Sequence, residues 1–181
     1  MATNKGVPII AEGCDCVGKT TFAEMLAKKT GYEIIKGSSF EISELGSDGM
    51  FEYMMKLLDR KGVIIDRFFY SNLVYGKLYN YPMMTPEQYR LLADKLNKNA
   101  LVLYLHAPAD VIKQRMNNRG DDMIKQEEVD SILGEYREVM HGDFRPKTML
   151  SLDTSDSNFT FATTMVADML DLEMTKIYVR N

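Results

Sequence analysis

A glycine-rich segment that ends in Lys and Thr lies near the start of the chain, where residues 9–20 read IIAEGCDCVGKT. Gly13, Gly18, Lys19 and Thr20 satisfy the pattern G-x-x-x-x-G-K-[ST], which is typical of a phosphate-binding loop between a strand and a helix. The glycines let the backbone approach a ligand closely, so that consecutive N–H groups can point into one concavity. We expect Lys19 to reach the β- and γ-phosphates and the Thr20 hydroxyl to ligate Mg²⁺. The motif therefore predicts binding of a nucleoside triphosphate with Mg²⁺.

An acidic residue, Asp15, lies inside this loop. A carboxylate there would repel phosphate unless it faces another donor, such as a sugar hydroxyl or a water on Mg²⁺. A solvent-exposed loop position is the alternative.

A second polar pair, Asp66-Arg67, follows the apolar run Val63-Ile64-Ile65. An Asp at the tip of a buried strand beside the phosphate loop is well placed to hold Mg²⁺ through water. Arg is a bidentate phosphate donor. The pair predicts a metal ligand and a phosphate ligand, with a surface ion pair as the alternative.

Two arginines, Arg115 and Arg119, lie four residues apart on one face of a predicted helix, and Gly120-Asp121-Asp122 then breaks that helix. Arginines that close over a nucleotide neutralise charge on the transferring phosphoryl group and exclude water. The segment 115–127 is therefore predicted to be a small lid. A solvated helix face is the alternative.

Short apolar runs alternate with amphipathic segments along the whole chain. The predicted strands are Val7–Ala11, Tyr32–Ile35, Val63–Asp66, Leu101–His106 and Met149–Asp153. The predicted helices begin near Lys19 and then cover Met50–Leu58, Phe69–Tyr79, Thr85–Leu96, Ala109–Asn118, Glu127–Met140 and Asn158–Leu172. This order predicts an α/β protein of one domain, residues 1–181, in which helices cover both faces of a five-stranded parallel sheet, giving three layers.

Composition limits the partners. The 181 residues are 45% hydrophobic and 27% charged, with a net charge of -4, which argues against a broad basic surface for nucleic acid or for an anionic membrane. The apolar runs are far shorter than the roughly 20 residues of a bilayer span. We expect no secretory signal, two reduced cysteines and a cytoplasmic protein.

Taken together, the motifs resemble the thymidylate kinases and, more generally, the deoxynucleoside monophosphate kinases of the P-loop fold. The resemblance covers nearly the whole chain and implies the three-layer P-loop kinase fold. It rests on Glu12-Gly13-x-Asp15-x-x-Gly18-Lys19-Thr20-Thr21, on Asp66-Arg67 with Ser71-Asn72 and Tyr75 behind it, and on Arg115 and Arg119. It implies a homodimer that transfers a phosphoryl group from ATP to a deoxynucleoside monophosphate, with dTMP to dTDP as the leading case.

The resemblance also implies residue roles. Asp15 contacts the 3′-hydroxyl of the acceptor and Arg67 its phosphate, while Asn72 reads the base edge and Tyr75 blocks a ribose 2′-hydroxyl. For Tyr75 a packed aromatic is the alternative, and for Asn72 a surface amide. The ATP-binding residues are Gly13, Asp15, Val17, Gly18, Lys19, Thr20, Thr21 and Arg115. Since Cys14, Cys16 and Val17 are uncharged, the resemblance implies that the lid supplies the cations, with Arg115, Arg119 and Lys125 as the candidates.

The chain departs from the family where the base pocket is usually built. Lys36-Gly37-Ser38-Ser39-Phe40-Glu41 stands in place of the usual Arg-Glu-Pro-Gly-Gly-Thr. Phe51 is the candidate for the base-stacking aromatic, with core packing as the alternative, but Met55 occupies the position of the expected Arg. Lys36 is a candidate replacement cation. Another deoxynucleotide or a modified pyrimidine therefore stays open as the acceptor.

The predicted reaction needs no general base, because a phosphate monoester with a second pKa near 6 is already ionised at neutral pH. Lys19, Asp66, Arg67, Arg115 and Arg119 are the predicted catalytic residues. A deoxynucleoside kinase is the main alternative, since its neutral 5′-hydroxyl acceptor needs a carboxylate base, for which Glu41 is available. A non-catalytic ATP-sensing module is the other.

Overall fold

The computed structural model describes residues 6–119, 125–156 and 158–179. Its sheet has five parallel strands, as predicted. In chain order they are β1 (Ile9–Glu12), β2 (Glu33–Lys36), β3 (Val63–Asp66), β4 (Leu101–His106) and β5 (Met149–Asp153). The predicted strand ends differ from these by at most two residues.

The strands lie in the order β2-β3-β1-β4-β5, and every neighbouring pair is parallel. The three inner strands, β1, β3 and β4, are almost completely buried, as the apolar runs require. All carboxyl ends meet at one edge of the sheet. The loops after β1 and β3, which carry the two predicted phosphate motifs, are therefore direct neighbours.

Helices connect the strands. They are α1 (Lys19–Thr30), α2 (Phe40–Ser43), α3 (Gly46–Leu57), α4 (Phe69–Tyr79), α5 (Pro86–Asn99), α6 (Ala109–Arg119), α7 (Val129–His141) and α8 (Thr160–Val179), with a 3₁₀ turn at Gln126–Glu128. Helix α1 packs against α8, and α4 packs against α7. The predicted α/β fold with helices flanking the sheet is confirmed.

Local signals explain several helix ends. Thr85 accepts a hydrogen bond from the backbone N–H of Gln88, whose side chain returns the bond, and Pro86 opens α5. This is the predicted N-cap. The short helix α2 was not predicted. Its N-cap is Ser39, whose hydroxyl accepts a hydrogen bond from the Ile42 N–H at 3.4 Å. This helix lies in the segment where the chain departs from the family pattern.

The Met-rich segment of α3 belongs to the core. Met50 and Met54 are at most 1% exposed and pack with the inner strands. No helix among the described residues is long and apolar enough to cross a bilayer.

Candidate nucleotide-binding site

The phosphate loop has the conformation that its glycines predict. Gly13 has φ 142°, and a Cβ there would lie 2.2 Å from the carbonyl oxygen of Leu105. Gly18 has φ 96°, and a Cβ there would lie 2.7 Å from the ring of Phe159. Both positions therefore require glycine, and the loop can approach a phosphate closely.

Lys19 is folded back over the loop. Its Nζ donates to the carbonyl oxygens of Gly13 at 2.8 Å and of Cys14 at 2.6 Å, and its side chain is buried. Burial lowers the pKa of Lys19 to about 8, and the positive charge of Arg67 acts in the same direction. The ammonium group is thus held at the loop, where it can exchange these carbonyls for phosphate oxygens.

Arg67 stands in the left-handed region, with φ 63°, at the turn that follows β3. Its backbone N–H donates to the carbonyl of Ala11, so the turn is joined to β1. The guanidinium forms an ion pair with Asp15. It also donates hydrogen bonds to the Tyr136 hydroxyl at 3.2 Å and to the Ser71 hydroxyl at 3.4 Å. A largely buried cation is therefore aimed at the loop by several partners.

Asp15 is half-buried and paired with Arg67. Its second oxygen accepts a hydrogen bond from the Tyr75 hydroxyl at 2.8 Å. Burial opposes ionisation, but the charges of Arg67 and Lys19 outweigh it and hold the pKa of Asp15 below its usual value. This carboxylate therefore stays ionised beside the phosphate loop.

Asp66 and Thr20 line the same cavity, and they are the predicted metal ligands. The Oδ1 atom of Asp66 is buried and has no hydrogen-bond partner among the described residues. An unpartnered buried carboxylate oxygen fits a cation ligand. The described part of the chain has no cluster of three or more His, Cys, Asp or Glu side chains that could hold a metal ion. The two residues thus fit a Mg²⁺ that arrives with nucleotide phosphates.

These groups surround one open cleft with a volume of about 1080 Å³, at the upper end of ordinary ligand sites. The predicted residues that line it are Asp15, Gly18, Lys19, Thr20, Thr21, Lys36, Asp66, Arg67, Asn72, Tyr75, Arg115 and Arg119. Cys16, Ser38, Ser39, Phe40, Glu41, Ser43, Ser71, Tyr79, Tyr81 and Phe159 complete the wall. The cleft lies beyond the carboxyl ends of the strands, as expected for a parallel sheet.

Val17 and Gly13 belong to the loop itself and do not line the cleft. Val17 is completely buried, and its carbonyl oxygen lies 3.5 Å from Nη1 of Arg115. Arg115 also donates to the Thr154 hydroxyl at 3.2 Å and to the Thr154 carbonyl. Arg115, predicted as a lid residue, therefore connects the loop after β5 to the phosphate loop.

The rest of the predicted lid is only partly described. Arg119 lies at the cleft, whereas residues 120–124 lie outside the described residues. Lys125 is exposed and does not line the cleft, and its backbone N–H donates to the carboxylate of Glu128 at 2.9 Å.

Phe51 is the one predicted substrate residue that the structure places away from the cleft. It is half-buried on α3 and packs against the core, because α3 turns its apolar face toward the sheet. Phe40, Tyr79 and Tyr81 are the aromatic residues at that wall instead. The departure of residues 36–41 from the family pattern was the available signal for Phe40.

Glu12 and Tyr136 are buried polar residues to which the motif analysis gave no role of their own. Glu12 accepts hydrogen bonds from the N–H groups of Phe68 at 2.6 Å and Ser71 at 3.2 Å, and from the Ser71 hydroxyl at 2.7 Å. Burial raises its pKa, although these bonds and the charge of Arg67 oppose the shift. Tyr136 completes the network through Ser71 Oγ at 2.8 Å. No sequence motif marks Tyr136.

A glycine-rich loop that leads from the central strand into α1, with Lys19 and Asp66-Arg67 at one cleft, defines a P-loop phosphotransferase. Residues 46–162 match the family profile described as thymidylate kinase. The chain belongs to the thymidylate kinase family.

The chain is also similar to YorR of Bacillus subtilis and, in fold, to a deoxyadenosine kinase. The SPbeta prophage-derived uncharacterized protein YorR of Bacillus subtilis (strain 168) is 51% identical over 133 residues, which cover 73% of this chain and 81% of YorR. A crystal structure of Bacillus subtilis YorR in complex with phosphorylated GDP has a TM-score of 0.81 and 43% identity, and the match covers 93% of this chain and 98% of that chain. Deoxyadenosine kinase from M. mycoides with bound dCTP shares the fold, with a TM-score of 0.57, 20% identity and coverage of 91% and 98%.

Proposed function

We propose that this kinase transfers the γ-phosphoryl group of ATP to the phosphate of a deoxynucleoside monophosphate, with dTMP as the first acceptor to test. The observation that carries the proposal is the single cleft of about 1080 Å³ that gathers the phosphate loop, Asp66-Arg67 and both lid arginines. A cavity of this size can accommodate two nucleotides, and its cations lie at the wall where their phosphates would meet.

In this proposal the protein mainly positions the two substrates and neutralises the charge of their phosphates. The loop N–H groups and Lys19 bind the phosphates of ATP, and Arg67 binds the phosphate of the acceptor. Arg115 and Arg119 neutralise charge on the transferring group and help to exclude water. Asp15 accepts a hydrogen bond from the 3′-hydroxyl of the acceptor, and its contacts with Tyr75 and Arg67 orient its carboxylate at the cleft. Lys36, at the end of β2, is a further cation on the acceptor side.

Mg²⁺ fits Thr20 and the unpartnered oxygen of Asp66. When bound there, it would neutralise phosphate charge and keep the two substrates in line. Asp66 and Thr20 would hold it together with phosphate oxygens and water.

The test is a panel of nucleosides and nucleoside monophosphates incubated with Mg-ATP, with ADP detected by a coupled assay and Lys19→Ala as the inactive control. We expect ADP with deoxynucleoside monophosphates. Absence of ADP with every monophosphate would overturn the proposal.

A deoxynucleoside kinase is the second candidate, because Glu41 lines the same cleft. The Ser39 hydroxyl lowers the pKa of Glu41, which makes this exposed carboxylate a weaker base. Glu41→Gln should leave monophosphate phosphorylation within about threefold of the wild-type value. Loss of all nucleoside phosphorylation in that variant, with no monophosphate activity in the wild type, would establish the second candidate instead.

Assembly as a homodimer stays a prediction. The Met-rich stretch Met50–Leu58 is a candidate contact surface from its composition, but Met50 and Met54 are buried in the core and do not contribute to such a surface. Light scattering of the purified protein measures the oligomeric state directly.

A further inference from the structure

Phe40 is a large apolar side chain that lies exposed at the wall of the nucleotide cleft. It opens the short helix α2, 62% of its surface is accessible, and it lines the nucleotide cleft. An aromatic ring that remains in water at the wall of a ligand site is better explained by a ligand than by packing.

A second exposed aromatic meets it from another segment. Tyr81, between α4 and α5, is 41% exposed, and its ring contacts that of Phe40 edge to face, with centroids 6.3 Å apart and planes at 75°. Tyr79 lies next to Tyr81 at 5.8 Å, and Tyr75 is stacked on Tyr79 at 6.0 Å. The aromatic wall thus extends from Phe40 to Tyr75, which bonds the Asp15 carboxylate.

Asn72 holds this wall in place. Its Nδ2 donates to the carbonyl of Pro82 at 2.9 Å and contacts the sulfur of Met50 at 3.8 Å, while its Oδ1 accepts from the Tyr89 hydroxyl at 2.5 Å. Pro82 directly follows Tyr81. The amide that was predicted to read the base edge is therefore engaged in fixing the segment that carries Tyr81.

We propose that Phe40 and Tyr81 form the binding corner for the base of the acceptor nucleotide, which packs its flat face against the ring of Phe40. The identity of the ligand as a nucleoside monophosphate rests on the proposed function. In this proposal the corner replaces Phe51 as the base-stacking site, because Phe51 packs against the core. Every nucleobase has a π-face, so this contact binds a base without reading its edge.

The absence of Trp from the chain allows a direct test. Phe40→Trp places the only tryptophan of the chain at the corner and retains a stacking face, and its emission can be excited selectively over that of the ten tyrosines. Phe161→Trp is the matched control, because Phe161 is 79% exposed on α8 and does not line the cleft. Each variant is titrated with dTMP, dGMP and the base-free deoxyribose 5-phosphate, with and without a non-hydrolysable ATP analogue in the donor site.

We expect monophosphates to quench the fluorescence of Phe40→Trp, with the analogue present as well, and deoxyribose 5-phosphate to leave it unchanged. Phe161→Trp should respond to neither. Equal responses of the two variants would overturn the proposal. Quenching that disappears with the analogue would also overturn it, because the corner would then belong to the ATP base.

Calorimetry on variants without a ring provides an independent measurement. In Phe40→Leu and Tyr81→Leu, the preference for dTMP over deoxyribose 5-phosphate should fall about 10-fold, and binding of the sugar phosphate should not change. Equal weakening of both ligands would contradict base binding. These binding measurements do not need turnover, so they are independent of the proposed function. If no monophosphate is phosphorylated, the proposed function fails. If the preference for dTMP over deoxyribose 5-phosphate is unchanged in the two variants, this inference alone is overturned.

Discussion

Tyr136 on α7 accepts a hydrogen bond from Arg67, with 3.2 Å between the phenolic oxygen and Nη1 of the guanidinium. The Tyr136 side chain is completely buried, and its hydroxyl also lies 2.8 Å from the Ser71 hydroxyl. Because α7 follows the predicted lid and Arg67 opens the turn after β3, the contact connects the helix beyond the lid to the cation that we propose for the acceptor phosphate. Tyr136 is therefore a positioning residue for Arg67.

Tyr136→Phe removes this contact and keeps the ring. We expect kcat/KM for the monophosphate to fall about 10-fold and KM for ATP to stay within about twofold, because Arg67 and the Ser71 hydroxyl lose a partner and neither is proposed to bind ATP. Tyr70→Phe is the control, since its hydroxyl is bonded to the carbonyl of Phe144 at 3.0 Å and Tyr70 does not line the cleft. It should lower stability without this kinetic change. Wild-type acceptor kinetics in Tyr136→Phe would contradict the role.

Glu12 provides the cap that α4 lacks in its own sequence. The N-cap residue Phe68 makes no side-chain capping hydrogen bond. Glu12, at the end of β1, instead accepts hydrogen bonds from the backbone N–H groups of Phe68 and Ser71. Glu12→Ala should lower the free energy of unfolding by about 3 kcal/mol, because buried donors lose their acceptor. Glu24→Ala, on the exposed side of α1, should change it by less than about 0.5 kcal/mol. Urea unfolding measures both, and similar values for the two variants would exclude the capping role.

Much of the architecture follows from periodicity and from one motif. The apolar runs predicted all five strands, and they predict the three inner strands most directly, because strands buried on both faces have few alternatives in composition. The spacing of Gly13, Gly18 and Lys19 predicted the loop, since its backbone geometry tolerates few other residues. The order of the strands, β2-β3-β1-β4-β5, was not predicted, because right-handed connections restrict the possible orders of a parallel sheet without selecting one.

The rest of the site depends on contacts between distant segments. Phe51 is an aromatic residue of the type that stacks on bases, but tertiary packing decides which way its face of α3 points. Phe40 is at the cleft because of the four-residue helix α2, which is too short for any periodicity. The bond from Arg67 to Tyr136 joins residues 69 positions apart, and no local pattern encodes such a pair.

The Arg67–Asp15 ion pair gives a pH-dependent contribution to stability. The folded-state pKa of Asp15 is lowered, so its contribution is present above the unfolded pKa of about 3.8 and is lost as the pH falls through the folded value. At pH 7, Asp15→Asn should be less stable than the wild type by about 1 kcal/mol, a modest value because the pair is partly exposed. Urea unfolding at several pH values should show this gap unchanged down to about pH 5 and closing below about pH 4. A gap that persists undiminished at about pH 3 would contradict the lowered pKa.

Two glycines should respond in opposite ways to the same substitution. A Cβ at Gly18 would collide with the ring of Phe159, which itself packs edge to face on Phe22 at 5.7 Å, and the φ of 96° is strained for alanine. Gly18→Ala should therefore raise KM for ATP at least about 10-fold and lower the free energy of unfolding.

Gly134 is the matched control. It lies inside α7, and a Cβ there would meet no heavy atom within 4 Å. Gly134→Ala should raise the free energy of unfolding by about 0.5–1 kcal/mol, because alanine has less conformational entropy to lose in a helix, and it should leave KM for ATP unchanged. Thermal unfolding and ATP-dependent turnover of both variants test the pair. If Gly18→Ala binds ATP as tightly as Gly134→Ala does, the phosphate loop does not need the close approach that its backbone provides.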